Sequence, residues 1–335
     1  MKKFLSVILS MMLVASIGIT ALAADTDNNA IVLGADKTSK MYLDSALLKS
    51  GEEYRFPISV SVDGKETVAL NDDILDDYSL KVSNTGKGKT MTEMQISKSG
   101  GVYYLIGTVK AGWPATQTDE EYTLKFSSKG SSKNAETLVV EFQTGYEIME
   151  DAYIDNLETE DEITVNNETP VFTTEQLERI ARTNNYRKVV FENENWRYTA
   201  NVTDMKSINM LHNSNGIKEI LTKYEDNGFE FLTFPAGPVF KTNGLMEIDV
   251  SGFAEDFNEK FFVYRYLDNK LTLITSSYNA EDEILSFNTN TLGRFVITDN
   301  AINDAAVVNT GNSSNSSSNN NNTTAPVNPS TGAAA

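Results

Sequence analysis

The sequence predicts a mainly β protein: two antiparallel, Ig-like β-sandwich domains, the second preceded by a short helix, with a disordered C-terminal tail. Three observations carry that expectation. Short apolar runs alternate with period two, turn-forming residues separate them at short intervals, and only one stretch outside the N-terminal leader has convincing helical periodicity.

The chain opens with Lys2 and Lys3, an apolar run from Phe4 to Ala23 that closes on Ala21-Leu22-Ala23, and then the polar Ala24-Asp25-Thr26-Asp27. A charged start, an apolar middle and a small-residue exit make residues 1–23 a secretory signal peptide. The competing reading is a retained anchor, because the run is nearly long enough to span a bilayer. No other stretch is apolar enough to cross one, so the mature chain is expected to have no transmembrane segment. Residues 24–145 form the first domain. In YRFPISVSV (54–62), Tyr54, Phe56, Ile58, Val60 and Val62 fall on one face, the mark of a half-buried strand. Strands are also expected at YSLKV (78–82), VYYLIGTV (102–109), EYTLKF (121–126) and TLVVEF (137–142), with VDGK, NTGKGK, KSGG, AGWPATQTDE and SKGSSKNAE as the turns between strands.

Residues 146–165 are rich in Asp and Glu, and mutual repulsion makes an acidic linker the expectation, with an outer strand as the alternative. The second domain spans 166–300. It begins with a helix at 174–183, where Thr173 stands three residues before Gln176 in capping-box spacing and Leu177, Ile180 and Ala181 share a face. Strands follow at WRYTANV (196–202), FEFLTF (229–234), LMEIDV (245–250), FFVYRYL (261–267), LTLIT (271–275), EILSFN (283–288) and GRFVIT (293–298), and VYRYLDNKLTLI reads as a hairpin turning at Asp268-Asn269-Lys270. Residues 301–335, rich in Ser and Asn, cannot bury enough apolar surface to fold.

Composition excludes several functions. With the two leader lysines gone, 26 basic face 47 acidic residues, a net charge of −21 that repels phosphate backbones and argues against nucleic acid as a partner. The absence of cysteine removes disulfides, thiolate metal sites and a cysteine nucleophile, and suits Gram-positive export. The lone histidine, His212, rules out a multi-histidine metal site. It lacks a G-x-S-x-G serine elbow to serve, so a surface position without catalytic role is expected.

Candidate sites are few. Asp72, Asp73, Asp76 and Asp77 in NDDILDD are oxygen ligands of the kind calcium accepts if a loop wraps them, although the spacing is not that of an EF-hand and a solvated turn is the simpler reading. Trp113, in AGWPAT, either plugs one end of the first sandwich or stays exposed to stack on a sugar ring with Tyr103, Tyr104 and Tyr122; for so large an apolar residue the plug is the more usual fate. Trp196 alternates with Tyr198 and is expected in the core. Paired carboxylates are the one route to catalysis, that of a glycoside hydrolase, but an enzyme is not expected.

Two resemblances follow from quoted motifs. TTEQLERIA, ENWRYTANVTDM, FVYRYLDNKLTLI and ILSFNTNTLGRFVIT, in that order over residues 163–299, resemble a module of extracellular clostridial Firmicutes proteins that pairs a Tyr-rich "NKLEL" hairpin with a closing "F.I.H.SDYVL" segment. Phe287, Phe295 and Val296 match, whereas Thr289 and Arg294 depart from its His and Asp-Tyr. The resemblance implies a noncatalytic sandwich on an exported or wall-linked protein. Asn328-Pro329-Ser330-Thr331-Gly332 resembles an LPxTG-type sortase signal, which implies cleavage after Thr331 and transfer to peptidoglycan; the hydrophobic span and basic end of a full signal do not follow before Ala335. The functional expectation is a secreted or wall-displayed protein working noncovalently in adhesion or in binding a glycan or protein, with a purely structural stalk as the alternative.

Overall fold

A computed structural model describes residues 29–130, 135–303 and 306–308. The leader and the NPSTG motif lie outside the described residues. Among those described, no helix is long and apolar enough to cross a membrane.

The first domain runs through β1 (Ala30–Leu33), β2 (Leu47–Lys49), β3 (Glu53–Ser61), β4 (Val68–Ala69), α1 (Asp72–Asp77), β5 (Tyr78–Asn84), β6 (Met91–Ser99), β7 (Val102–Val109), β8 (Thr118–Ser128) and β9 (Glu136–Gly145). One sheet has the order β1-β3-β7-β6, with β4 added to β3; the other has the order β2-β9-β8-β5. These orders are those of strands A-B-E-D and C-F-G of an Ig-like sandwich, with β2 as an extra edge strand running parallel to β9. Where many Ig domains place a disulfide between the sheets, this chain has no cysteine and relies mainly on apolar packing. Phe56, Ile58 and Leu105 of one sheet meet Leu124, Phe126 and Phe142 of the other. The alternation of YRFPISVSV holds for Tyr54, Phe56, Ile58 and Val60, which are buried, and lapses at the strand's end, where Ser61 is buried and Val62 only half-buried.

NDDILDD is a helix and not a loop. Asn71 caps α1 by accepting from the Ile74 amide at 3.0 Å, Asp72 and Asp73 complement the positive end of the helix, and Ile74 and Leu75 rest on the core.

The second domain contains α2 (Asp151–Asp155), β10 (Glu162–Thr164), β11 (Val171–Phe172), α3 (Thr174–Thr183), β12 (Val189–Asn193), β13 (Trp196–Ala200), β14 (Ile208–Asn209), α4 (Lys218–Lys223), β15 (Phe229–Thr233), β16 (Val239–Asp249), β17 (Phe262–Leu267), β18 (Lys270–Ile274), β19 (Ser276–Asn279), β20 (Ile284–Thr291), β21 (Arg294–Thr298) and β22 (Ala306–Val308). A sheet of order β10-β12-β13-β16-β20-β19 packs on one of order β15-β21-β17-β18-β22. Phe191, Tyr198, Met246 and Phe287 fill the space from one side, Val263, Phe295 and Ile297 from the other, and α3 adds Leu177, Ile180 and Ala181. Helix α4 covers the outer face of the second sheet, placing Ile217 and Ile220 with Phe231, Tyr264, Tyr266 and Val296. The hairpin turns at Asp268 and Asn269, both with positive φ (50° and 59°), which is the two-residue geometry that matches strand twist; Lys270 already pairs with Leu267.

The acidic segment 146–165 belongs to this domain and is not a linker. Its apolar residues point inward: Met149, Ile154, Ile163 and Val165 are all buried. β10 joins the sheet parallel to β12, and the Met149 amide donates to the Val171 carbonyl at 2.8 Å. Repulsion does not extend the segment because arginines stand between the carboxylates. Arg179 bridges Asp151 and Asp155, and Arg197 pairs with Glu162. The expected helix at 174–183 forms with both halves of its capping box. Thr173 Oγ1 accepts from the Gln176 amide at 3.1 Å, and Gln176 Oε1 accepts from the Thr173 amide at 3.0 Å.

Candidate functional site

The residues singled out in the first domain do not converge. Tyr122 is only 6 % exposed and stacks on Phe142 within the core. Tyr103 and Tyr104, adjacent on β7, point to opposite faces, and only Tyr103 packs against the core. Trp113 lies beyond the far end of β7, whose stretch from Tyr103 to Val109 alone spans about 20 Å at the rise of a strand. Tyr103 instead meets the acidic helix: its hydroxyl donates to Asp72 Oδ1 at 2.6 Å, and Lys98 pairs with the other oxygen. Those two bonds, from Lys98 first and Tyr103 second, hold the Asp72 carboxyl below its ordinary value. Asp73, Asp76 and Asp77 are exposed, and among the described residues no three acidic or histidine side chains gather as a metal site.

Trp113 plugs no core. It is 45 % exposed and sits where the two domains meet. The reason is topological: the β7–β8 loop and the end of β9 share one end of the sandwich, since Thr118 pairs with Thr144, and the chain leaves β9 there for the second domain. The loop is fastened from both sides. Tyr146 donates its hydroxyl to Gly112 O at 3.3 Å, Gln117 Nε2 donates to Tyr146 O at 3.1 Å, and Asn209 of β14 donates its side-chain amide to Pro114 O at 3.0 Å. Between them opens a groove of about 380 Å³, with Trp113, Met205, Ile208, Pro238 and Val239 as apolar wall. Its rim is polar, formed by Lys206 and by Lys241 paired with Asp204 at 3.2 Å.

A second concavity, of about 610 Å³, opens in the second domain beside the turn from β12 to β13, the end of β16, the 212–215 loop and strand β15. Its lining is largely uncharged and polar, with Asn167, Asn193, Asn195, Asn213, Ser214 and Asn215 alongside Trp196, His212, Phe253, Glu230 and Asp249. Trp196, as expected, is buried; its ring makes edge contacts with Phe234 at 5.0 Å and with His212 at 5.1 Å. Its indole N–H has no hydrogen-bond partner among the described residues.

His212 is not a surface residue: it is 9 % exposed. Its Nδ1 lies 3.1 Å from the Met210 carbonyl, which can only accept, so Nδ1 carries the proton and Nε2 the lone pair. Burial pushes the pKa of His212 down, against the raising effect of that hydrogen bond. The loop that carries it is pinned: Asn167 Oδ1 accepts from His212 N at 3.0 Å and Asn167 Nδ2 donates to His212 O at 2.9 Å, while Asn213 and Thr233 exchange backbone bonds of 2.9 and 2.8 Å. Two carboxyls reach the cleft, with pKa values shifted in opposite directions. Burial alone raises the pKa of Glu230, whereas Ser251, through its hydroxyl and its amide, lowers that of Asp249. A single histidine and scattered asparagines gave no signal of this cleft, which is assembled from segments up to about 130 residues apart in sequence.

No family model and no curated protein matches the chain. Among solved structures, the titin M3 domain is similar over 36 % of this chain and 99 % of its own, at 14 % identity and TM-score 0.21. A chimeric titin Z1Z2 is similar over 34 % of this chain and 91 % of its own, at 17 % identity and TM-score 0.19. SGBP-B of the Bacteroides ovatus mixed-linkage glucan utilization locus, solved with a mixed-linkage heptasaccharide, aligns over 81 % of this chain and 100 % of its own, at 9 % identity and TM-score 0.14. Scores this low carry no functional argument, and the Ig-like order of the first domain stands on its strand pairing.

Proposed function

We propose that the chain is a noncatalytic binding protein displayed outside a Gram-positive cell, and that it engages a glycan at the junction of its two domains. The observation that carries this reading is Trp113, a large aromatic left 45 % exposed on a loop held by three hydrogen bonds. An indole face fixed in an apolar groove with a polar rim suits the apolar face of a pyranose ring, with the rim left for its hydroxyls. The surplus of negative charge directs the choice to neutral sugars. The export leader and the NPSTG phrase support display at the wall through Thr331.

The test is a titration of the mature protein with soluble β-glucan, xylan, mannan and chitooligosaccharides, alongside Trp113→Ala. Loss of at least tenfold in affinity is expected, with an unchanged melting temperature because half the side chain is already in water. No binding of any probe by the parent protein, or equal binding by the variant, would sink the reading. Display is checked separately by mass spectrometry of peptidoglycan digests. Fragments ending at Thr331 joined to a wall peptide are expected, and a free Ala335 terminus on cell-bound protein would refute it.

A further inference from the structure

We infer that the cleft over Trp196 and His212 is a second binding site, built for a short neutral oligosaccharide and separate from the Trp113 groove. Three observations converge on it. Trp196, only 3 % exposed, lines the cleft, and its indole N–H is buried behind that wall without a partner among the described residues. A buried donor left without a partner costs free energy, which a small turn of the ring toward a ligand oxygen would recover. The remaining groups are side-chain amides such as Asn195 and Asn215, which donate and accept at once, as sugar hydroxyls do. Glu230 and Asp249 add acceptors for hydroxyl protons, and Phe253 offers an apolar face.

Size and rigidity agree with that ligand. A volume of about 610 Å³ lies in the usual range for small-molecule sites, roughly 300–1,000 Å³. The Asn167–His212 and Asn213–Thr233 bonds fix the 212–215 loop before any ligand arrives, which lowers the cost of binding. The carboxylates and the net negative charge of the chain oppose phosphorylated or acidic sugars. The inference does not depend on the junction groove, which shares none of these residues.

The chain has two tryptophans, and each stands at one site. Trp113→Phe leaves Trp196 as the sole indole reporting on the cleft; Trp196→Phe keeps an aromatic ring against Phe234, removes the donor and leaves Trp113 reporting on the junction. Titrating the Trp113→Phe protein with the same neutral oligosaccharides is expected to red-shift the Trp196 emission as its N–H gains an acceptor, with saturable heat by calorimetry. Asn195→Ala, at an exposed position that leaves folding intact, should weaken this binding at least fivefold. Unchanged Trp196 emission and no heat with every probe would overturn the second site. The Trp196→Phe protein independently shows whether the junction reading stands.

Discussion

Gln176 is the sharpest test of how the acidic segment is held. The side chain is buried, and besides closing the capping box of α3 its Nε2 donates to Met149 O at 2.6 Å and to Asp151 Oδ1 at 3.0 Å. It therefore staples α2 and the entry to the second domain onto α3. Gln176→Leu keeps similar bulk but strands the Met149 carbonyl and the Thr173 amide. With about 1–3 kcal/mol for a buried unsatisfied group and about 1 kcal/mol for the cap, the expected loss is about 2–4 kcal/mol, or roughly 5–12 °C in melting temperature for a domain of this size. Thr173→Ala removes only the Gln176 amide's acceptor and should cost about 1 kcal/mol. Urea unfolding of both variants, followed by circular dichroism, separates cap from staple. Equal losses in the two variants, or a loss below about 1 kcal/mol for Gln176→Leu, would refute the staple.

Further outcomes follow from other close contacts and titrating groups. A Cβ on Gly244 would stand 2.6 Å from Tyr198 Cζ and 2.7 Å from Thr199 O, and the Tyr198 hydroxyl is tied to Thr289 O at 2.8 Å, so Gly244→Ala should cost about 2–3 kcal/mol in denaturant titration. Because burial depresses the pKa of His212 below 6.5, the unfolded chain takes up its proton first; stability is full above about 6.5 and falls as pH drops through that window toward the folded value. Glu230 acts in the opposite sense, since its raised pKa favours the protonated form and its contribution is lost as pH rises through that value. Melting temperatures between pH 7.5 and 5 should fall for the parent and flatten for His212→Phe. Asp36 accepts from the amides of Arg55 (2.6 Å), Ser39 (2.7 Å) and Thr38 (2.9 Å), so Asp36→Ala should destabilise the first domain by about 2–3 kcal/mol. Burial would raise the Asp36 pKa, but those bonds more than offset it; the stability they contribute is lost as pH falls below the ordinary aspartate value, which acid titration of parent and variant would compare.

Several features needed only the chain itself. Period-two runs such as VYYLIGTV are strands because alternation has one way to bury its apolar half, and Thr173-x-x-Gln176 caps a helix because both bonds close within four residues. Asp268-Asn269 turns a hairpin for an equally local reason. Strand β6, with the polar sequence MTEMQISKS, escaped this logic because it is an edge strand held by backbone bonds to β7. The acidic segment misled because the arginines that neutralise it, Arg179 and Arg197, come from later elements.

Site residues depended still more on long-range placement. Whether Trp113 is buried follows from which sandwich end faces the next domain, and whether His212 is buried follows from Trp196 and Phe234 closing around it. Local propensity acts over a few residues, so it determined strands, caps and turns. Burial and the company a side chain keeps are sums over segments distant in sequence, and only the packed sheets decide them.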